Sequence, residues 1–159
     1  MPKSSRFAVF GIGRYGRHIA LSLAAKGAEV FTFDSNPARS EAIKDEVALA
    51  VTMDATDARA LQAQNVQDMD AAVVAIGENF EATMLTSMNL LDLGVPRVIV
   101  RSSGDHQQRI LTSLGIREIL TPESEVGSIV SERLIHPNIG GFLELPDDYE
   151  IAEIHAPQN

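Results

Sequence analysis

Arg6-Phe7-Ala8-Val9-Phe10-Gly11-Ile12-Gly13-Arg14-Tyr15-Gly16 is the stretch on which the fold of this chain turns. Phe7–Phe10 reads as a strand, and the six residues after it fit G-x-G-x-x-G. From there Gly16, Ile19, Ala20 and Leu23 keep the i, i+3, i+4, i+7 spacing of a helix with one buried stripe. A bare glycine pattern is weak, because the chain's 11 glycines can produce it by accident. Set between a strand and a helix, it acquires a mechanism. Gly11 permits a tight turn, Gly13 lets phosphates approach the backbone, and Gly16 allows close packing of helix on strand. Unpaired N–H groups and the positive end of the helix dipole then hold the anion.

Outward from this loop, a second apolar strand, Val30–Phe33, ends at Asp34, 23 positions after Gly11. A carboxylate there accepts hydrogen bonds from ribose hydroxyls and repels a 2′-phosphate, which disfavours NADP. The plainer alternative is a turn acid, since Asp is common before turns. Ser35 and Asn36 follow on the same rim and join the candidate site. Asn36-Pro37 is also a helix start, with a capping side chain and then a proline at the first helical position. Arg14 departs from the expected pattern, because a cation in the first helical turn opposes the dipole. A bound polyphosphate reverses that penalty, so ATP or ADP is preferred over NAD. A merely solvated arginine is the competing account.

The rest of the chain repeats the alternation of strand and helix. Further strand candidates are Leu49–Thr52, Ala71–Ile76, Val98–Val100 and Glu118–Leu120, with Ala71–Ile76 apolar throughout like a central parallel strand. Phe80, Met84, Met88 and Leu91 form a helical stripe ending near Gly94, and the methionines are assigned to core packing. Thr121-Pro122-Glu123 repeats the capped start before Val126, Ile129, Val130 and Leu134. These βαβ units predict an α/β fold: a Rossmann-like doubly wound parallel sheet of six strands. His136–Gly141 reads as a linker or turn, and Phe142–Leu145 and Tyr149–Ile154 as two short strands. The expected division is therefore a nucleotide-binding unit over 6–121, a helix and linker over 122–141, and a tail over 142–159. Two strands make no core of their own. They either pack on the main domain or open a second one that the chain does not complete.

Three more strand ends carry candidate ligands on the rim where open α/β sheets bind. Asp54, Ala55 and Thr56 close the third strand; Asp54 can bond an adenine amino group or a ribose, while Asp57 suits a helix cap. Ile76 and Gly77 close the fourth, and Arg101 ends the fifth within reach of phosphate. For each of these taken singly, a turn or cap role competes with binding.

Composition excludes much else. With 159 residues, 45% hydrophobic and 22% charged, the chain has the profile of one ordinary globular domain. It has no cysteine, which removes disulfides, thiol nucleophiles and thiolate metal sites. Its 13 basic and 22 acidic residues give a net charge of −9, so nucleic acid is not an expected partner. No apolar run approaches the ~20 residues of a membrane span. Lys3 and Arg6 before Phe7–Phe10 faintly imitate a signal peptide, but Gly11, Gly13 and Arg14 break the run, and the default location is cytoplasmic. His18, His106, His136 and His155 are scattered without ligand spacing. There is no G-x-S-x-G elbow and no P-loop lysine, and ~40 residues after the sheet are too few for a substrate domain. The chain reads as a sensor rather than an enzyme.

The glycine loop, Asp34 after its strand, Asp54-Ala55-Thr56, Ile76-Gly77 and the Leu114-Gly115…Thr121-Pro122-Glu123 segment together resemble the RCK or KTN domain. That family comprises cytosolic regulators of Trk/Ktr-type potassium uptake systems and of some potassium channels. The resemblance runs in order over about residues 6–136. The tail resembles the linker and first strand of the family's C-terminal subdomain, which implies a truncated chain or an N-lobe-only protein. It further implies a homo-oligomer, a dimer or an octameric ring, formed through the crossover helix Ser124–Ile135 beneath a membrane channel or transporter. The implied ligand map places phosphates at Gly13 and Arg14, ribose at Asp34 and adenine near Asp54–Thr56, with Tyr15 among the cofactor-binding residues. Glu123 falls where some members hold a divalent cation, although an acid stabilising a helix start is the simpler account. ATP and ADP sharing one crevice would favour different ring shapes, because a ligand gates only through unequal affinity for two states. The alternatives are an NAD(H)-sensing domain, an antiporter's regulatory domain, and a small NAD-dependent oxidoreductase fragment.

Overall fold

The computed structural model describes residues 4–137, 139–145 and 149–154, the last two stretches by backbone only. The chain divides into two compact units, Met1–Leu120 and Thr121–Asn159.

In the first unit, strands β1 (Arg6–Phe10), β2 (Glu29–Asp34), β3 (Leu49–Thr52), β4 (Ala71–Val74), β5 (Val98–Arg101) and β6 (Glu118–Leu120) are joined by five α-helices. These are α1 (Arg14–Ala25), α2 (Pro37–Ile43), α3 (Ala58–Ala63), α4 (Phe80–Asp92) and α5 (Asp105–Ser113). All six strands pair in parallel, in the order β3-β2-β1-β4-β5-β6. This is the doubly wound sheet expected from the alternation. The order reverses between β1 and β4, and a crevice opens at the carboxyl edge at such a switch point. Register brings the strand ends level there: Phe10 lies opposite both Phe33 and Val74, and Asp34 opposite Thr52.

Alternation along the strands sorts side chains into two cores. Ala8, Phe10 and Phe33 join Leu61, Leu90 and Leu111 on the face covered by α3, α4 and α5. Val9 and Val30 join Ala20 and Ile43 on the face covered by α1 and α2. The Phe10 and Phe33 rings stack at 4.8 Å beneath the carboxyl edge. β4 is buried at all four positions, as a central strand must be. It ends at Val74 instead of Ile76: Ala75 N–H still bonds the Phe10 carbonyl at 2.7 Å, after which the chain turns over the glycine loop.

Two local readings need correction. Met84 packs against the core, but Met88 is 41% exposed. The buried face of α4 is Thr83, Thr86, Ser87 and Leu90, so this helix presents small hydroxyl side chains to the sheet. Helix starts behave as the sequence implies at α2, where the Asn36 side chain accepts from Ala38 N–H, and at α3, where Asp57 accepts from Arg59 N–H. At Thr121 the side chain makes no cap; instead Glu125 reaches back to accept from Thr121 N–H at 3.0 Å.

The second unit holds α6 (Pro122–Ile135) and an antiparallel hairpin of β7 (Ile139–Leu145) and β8 (Tyr149–Ile154). β7 begins three residues before the expected Phe142, so Gly140 and Gly141 belong to a strand rather than to a linker. The irregular register between Ile139 and Gly141 accounts for them, since glycine is common where a ladder is interrupted. Along α6, Val126, Ile129, Val130 and Leu134 are exposed. Among the described residues, no helix is long and apolar enough to cross a membrane.

Candidate functional site

The glycine loop is shaped by contact on one side and openness on the other. Gly11 adopts φ +87°, and a Cβ there would lie 2.9 Å from the backbone of Ala75 and Ile76. A Cβ on Gly16 would lie 1.8 Å from the Gly11 carbonyl oxygen, so only glycine lets α1 start this close to the loop. Gly13 differs: a Cβ would meet nothing within 4 Å. It stands at the N-terminus of α1, which has no side-chain cap and no acid in its first turn. That leaves an electropositive helix end facing open space.

Asp34 fixes the loop from β2. Its carboxylate is almost wholly buried; Oδ2 accepts from Ile12 N–H at 2.6 Å and Oδ1 from Asn36 N–H at 2.8 Å. The Arg39 guanidinium stands 3.5 Å from Oδ2. Asp34 is therefore a brace between the glycine loop and the turn into α2. A carboxylate has about four acceptor positions, and two backbone bonds leave room for a sugar hydroxyl.

Around this brace lies a cleft of about 640 Å³. Of the residues singled out in the sequence, all on the first unit line it except Gly16 and Asn36. Gly16 is absorbed in packing on the loop, and Asn36 caps α2. Gly11, Gly13, Arg14 and Tyr15 form one wall, Asp34 and Ser35 the next, and Asp54–Thr56 the far end. Ile76, Gly77 and Arg101 close the side toward β4 and β5. Arg101 lies over the Tyr15 ring at 5.3 Å, and a Cβ on Gly77 would come within 2.9 Å of its Nη1. The space at Gly77 is what allows the guanidinium to lie there.

The β3–α3 loop is rigidly built. Asp54 Oδ1 accepts from Thr56 N–H at 2.9 Å and from Thr56 Oγ1 at 2.7 Å. The Thr56 side-chain bond, then its backbone bond, hold the Asp54 carboxyl below the usual range, opposed by slight desolvation. Thr56 O in turn accepts from Asn89 Nδ2 at 2.9 Å, tying the loop to α4. Among the described residues the second oxygen of Asp54 has no hydrogen-bond partner, so it can accept from a ligand.

Charges of both signs line the cleft, with Arg39 set against Asp34. Arg14 and Arg101 flank the helix end, whereas Asp34 and Asp54 line the side under β2 and β3. This suits a molecule with anionic groups at one end and hydroxyl or amino donors at the other. The arrangement therefore fits a phosphorylated nucleoside. Sequence reasoning missed Arg39 and Thr86, both lining the cleft. Arg39 sits in the first turn of α2, a cation at a helix start like Arg14, and that signal was available. Glu123 belongs to the second unit, in the first turn of α6 with Glu125. No group of three metal-ligating side chains occurs among the described residues.

The TrkA-N domain family model matches residues 7–122. Ktr system potassium uptake protein C of Bacillus subtilis (strain 168) is 31% identical over 150 residues, covering 94% of this chain and 68% of that protein. Protein A of the Ktr system in the same organism is 30% identical over 154 residues, covering 97% and 69%. Among solved structures, the GsuK channel bound to NAD superposes with a TM-score of 0.68 at 13% identity, over 92% of this chain and 26% of that one. GsuK bound to ADP gives 0.64 at 13% identity, over 76% and 32%. The match over most of the chain shows that it belongs to the TrkA-N family, the RCK-type domain of Ktr and Trk potassium uptake systems.

Proposed function

We propose that this chain is a cytoplasmic regulatory domain that binds ATP and ADP in the β1–β4 cleft and biases a membrane potassium channel or transporter without transforming its ligand. The observation that carries this reading is Arg14, a cation at the uncapped start of α1, lining the same cleft as the Gly13 backbone and Arg101. Arg14 makes no ion pair among the described residues, so its charge is available to a phosphate. In this reading Gly13 and Arg14 hold phosphates, Asp34 and Ser35 the ribose, and Asp54, Ala55 and Thr56 the base. The apolar residues exposed along α6 support self-association through that helix. Glu123 is a candidate for a divalent cation shared across such an interface.

Calorimetry with ATP, ADP, NAD and NADH tests the proposal. ATP is expected to bind more tightly than ADP. Arg14→Ala removes a charge-assisted contact of about 1.5–3 kcal/mol, so the ATP affinity should fall at least tenfold while ADP changes little. An ATP-to-ADP affinity ratio unchanged by the substitution would refute the role of Arg14. Binding of NADH alone would transfer the site to the NAD(H)-sensing reading, which GsuK bound to NAD supports for the fold.

A further inference from the structure

Hydroxyl side chains in these helices follow one habit, with an exception at the cleft. Thr83, Ser87, Thr112 and Ser113 each donate to the carbonyl four residues earlier, at 2.6–3.1 Å. This is the ordinary way a helix satisfies a buried hydroxyl. Thr86 does not take it. Its residue is fully buried and its Oγ1 has no hydrogen-bond partner among the described residues. Ser40 shares the deficit but lies away from the cleft, whereas Thr86 is part of the cleft wall. A buried, unsatisfied hydroxyl is destabilising, so its presence at a ligand-lined surface calls for a partner that arrives with the ligand.

Position identifies that partner. Asn79, Ala82 and Thr86 line the cleft at helical spacing along α4. Asn89, one turn after Thr86 on the same face, bonds Thr56 O at 2.9 Å. Thr86 therefore lies on the face of α4 that meets the Asp54–Thr56 loop. Asp54 offers an acceptor there, and a hydroxyl facing it offers a donor. One edge of adenine presents an amino donor beside a ring-nitrogen acceptor, the complement of that pair.

Resting on the nucleotide reading above, we infer that Thr86 is a specificity-determining residue whose hydroxyl donates to a ring nitrogen of the bound base while Asp54 accepts from its amino group. Threonine in a helix divides between two χ1 rotamers, so side-chain rotation alone can re-aim a threonine hydroxyl. The bond involves the adenosine end only, so it serves ATP and NAD alike.

Thr86→Val keeps shape and removes the hydroxyl; Thr86→Ser keeps the hydroxyl and removes a methyl. Titration calorimetry of ATP and of NAD against the parent and both variants is paired with ligand-free thermal melts. Thr86→Val should weaken ATP and NAD by a common factor of about five to ten, Thr86→Ser should bind within twofold of the parent, and the melting point of free Thr86→Val should be unchanged or higher. Parental affinity in Thr86→Val would overturn the assignment and leave the nucleotide site standing. A lowered ligand-free melting point with no rescue by Thr86→Ser would overturn it in favour of a packing role. If the parent binds no adenosine ligand, the nucleotide reading falls and this inference with it.

Discussion

The three glycines of the loop look equivalent in the sequence and are not equivalent in space. At Gly16 the nearest atom to an added Cβ is the backbone oxygen of Gly11, 1.8 Å away, which cannot swing aside as a side-chain tip can. Gly16→Ala must push α1 off the loop, and overpacking of this kind costs about 3 kcal/mol or more. At Gly13 a methyl meets nothing, and φ −71° is comfortable for any residue. Gly13→Ala should cost only about 0.5–1 kcal/mol, through the poorer cap. That methyl would occupy the space through which phosphate reaches the helix end, so Gly13→Ala should lose nucleotide affinity while keeping its fold. Urea denaturation and calorimetry on both variants check the contrast. Equal losses of stability at the two positions would contradict it.

Elements were legible where their signals were local. β3 and β6 match their apolar runs to the residue, and α2 begins at its Asn-Pro cap. α4 was located, but apolar periodicity does not register the hydroxyl-bearing residues Thr83 and Ser87 that it also buries. Apolar periodicity points to Phe80, Met84, Met88 and Leu91; Phe80, Met84 and Leu91 do pack against the core, and Met88 is the exposed member. The same blindness hid Thr86. Arg39 carried a local signal as a cation at a helix start, but its contact with Asp34 depends on how the turn between β2 and α2 folds back, which spacing alone does not give. The rest of the cleft was visible because its residues sit at strand ends, and parallel register puts strand ends together.

The β3–α3 loop allows a prediction at the same scale. Two bonds from Thr56 depress the Asp54 pKa. A group whose pKa is lower folded than unfolded adds stability above its unfolded pKa and loses it as pH falls through the folded value. The loop should therefore contribute at neutral pH and weaken below about pH 4. Asp54 is exposed, so solvent screening keeps the effect to about 0.5 kcal/mol. Thr56→Val removes the hydroxyl bond, and its loss of stability relative to the parent should shrink as pH falls from 7 to 3. A difference that stays constant over that range would mean that the bond is insensitive to the ionisation of Asp54.

For the molecule as a whole, a chain of net charge −9 gathers three of its arginines, Arg14, Arg39 and Arg101, around one cleft. At long range the protein repels a polyanion, and only local geometry makes binding favourable. All the described residues lining the cleft belong to the first unit, so ligand free energy enters the molecule through the sheet. Ligand at 100 times its Kd adds about 2.7 kcal/mol, and a chain of this size gains about 2–4 °C per kcal/mol. Thermal unfolding followed by circular dichroism should therefore shift upward by roughly 5–10 °C at that ATP concentration. ADP at the same multiple of its own Kd should give the same shift, because this quantity reports saturation and not preference. Gating needs more than saturation. A ligand that binds two arrangements of the assembly equally moves neither, and a switch from 1:99 to 99:1 takes about 5.5 kcal/mol of differential binding. Matched shifts at matched saturation, together with unequal Kd values, are what the isolated chain should show if ATP and ADP share the cleft and Arg14 separates them. Unequal shifts at matched saturation would show that one nucleotide also binds the unfolded chain or a second site, and the single-cleft account would then fail.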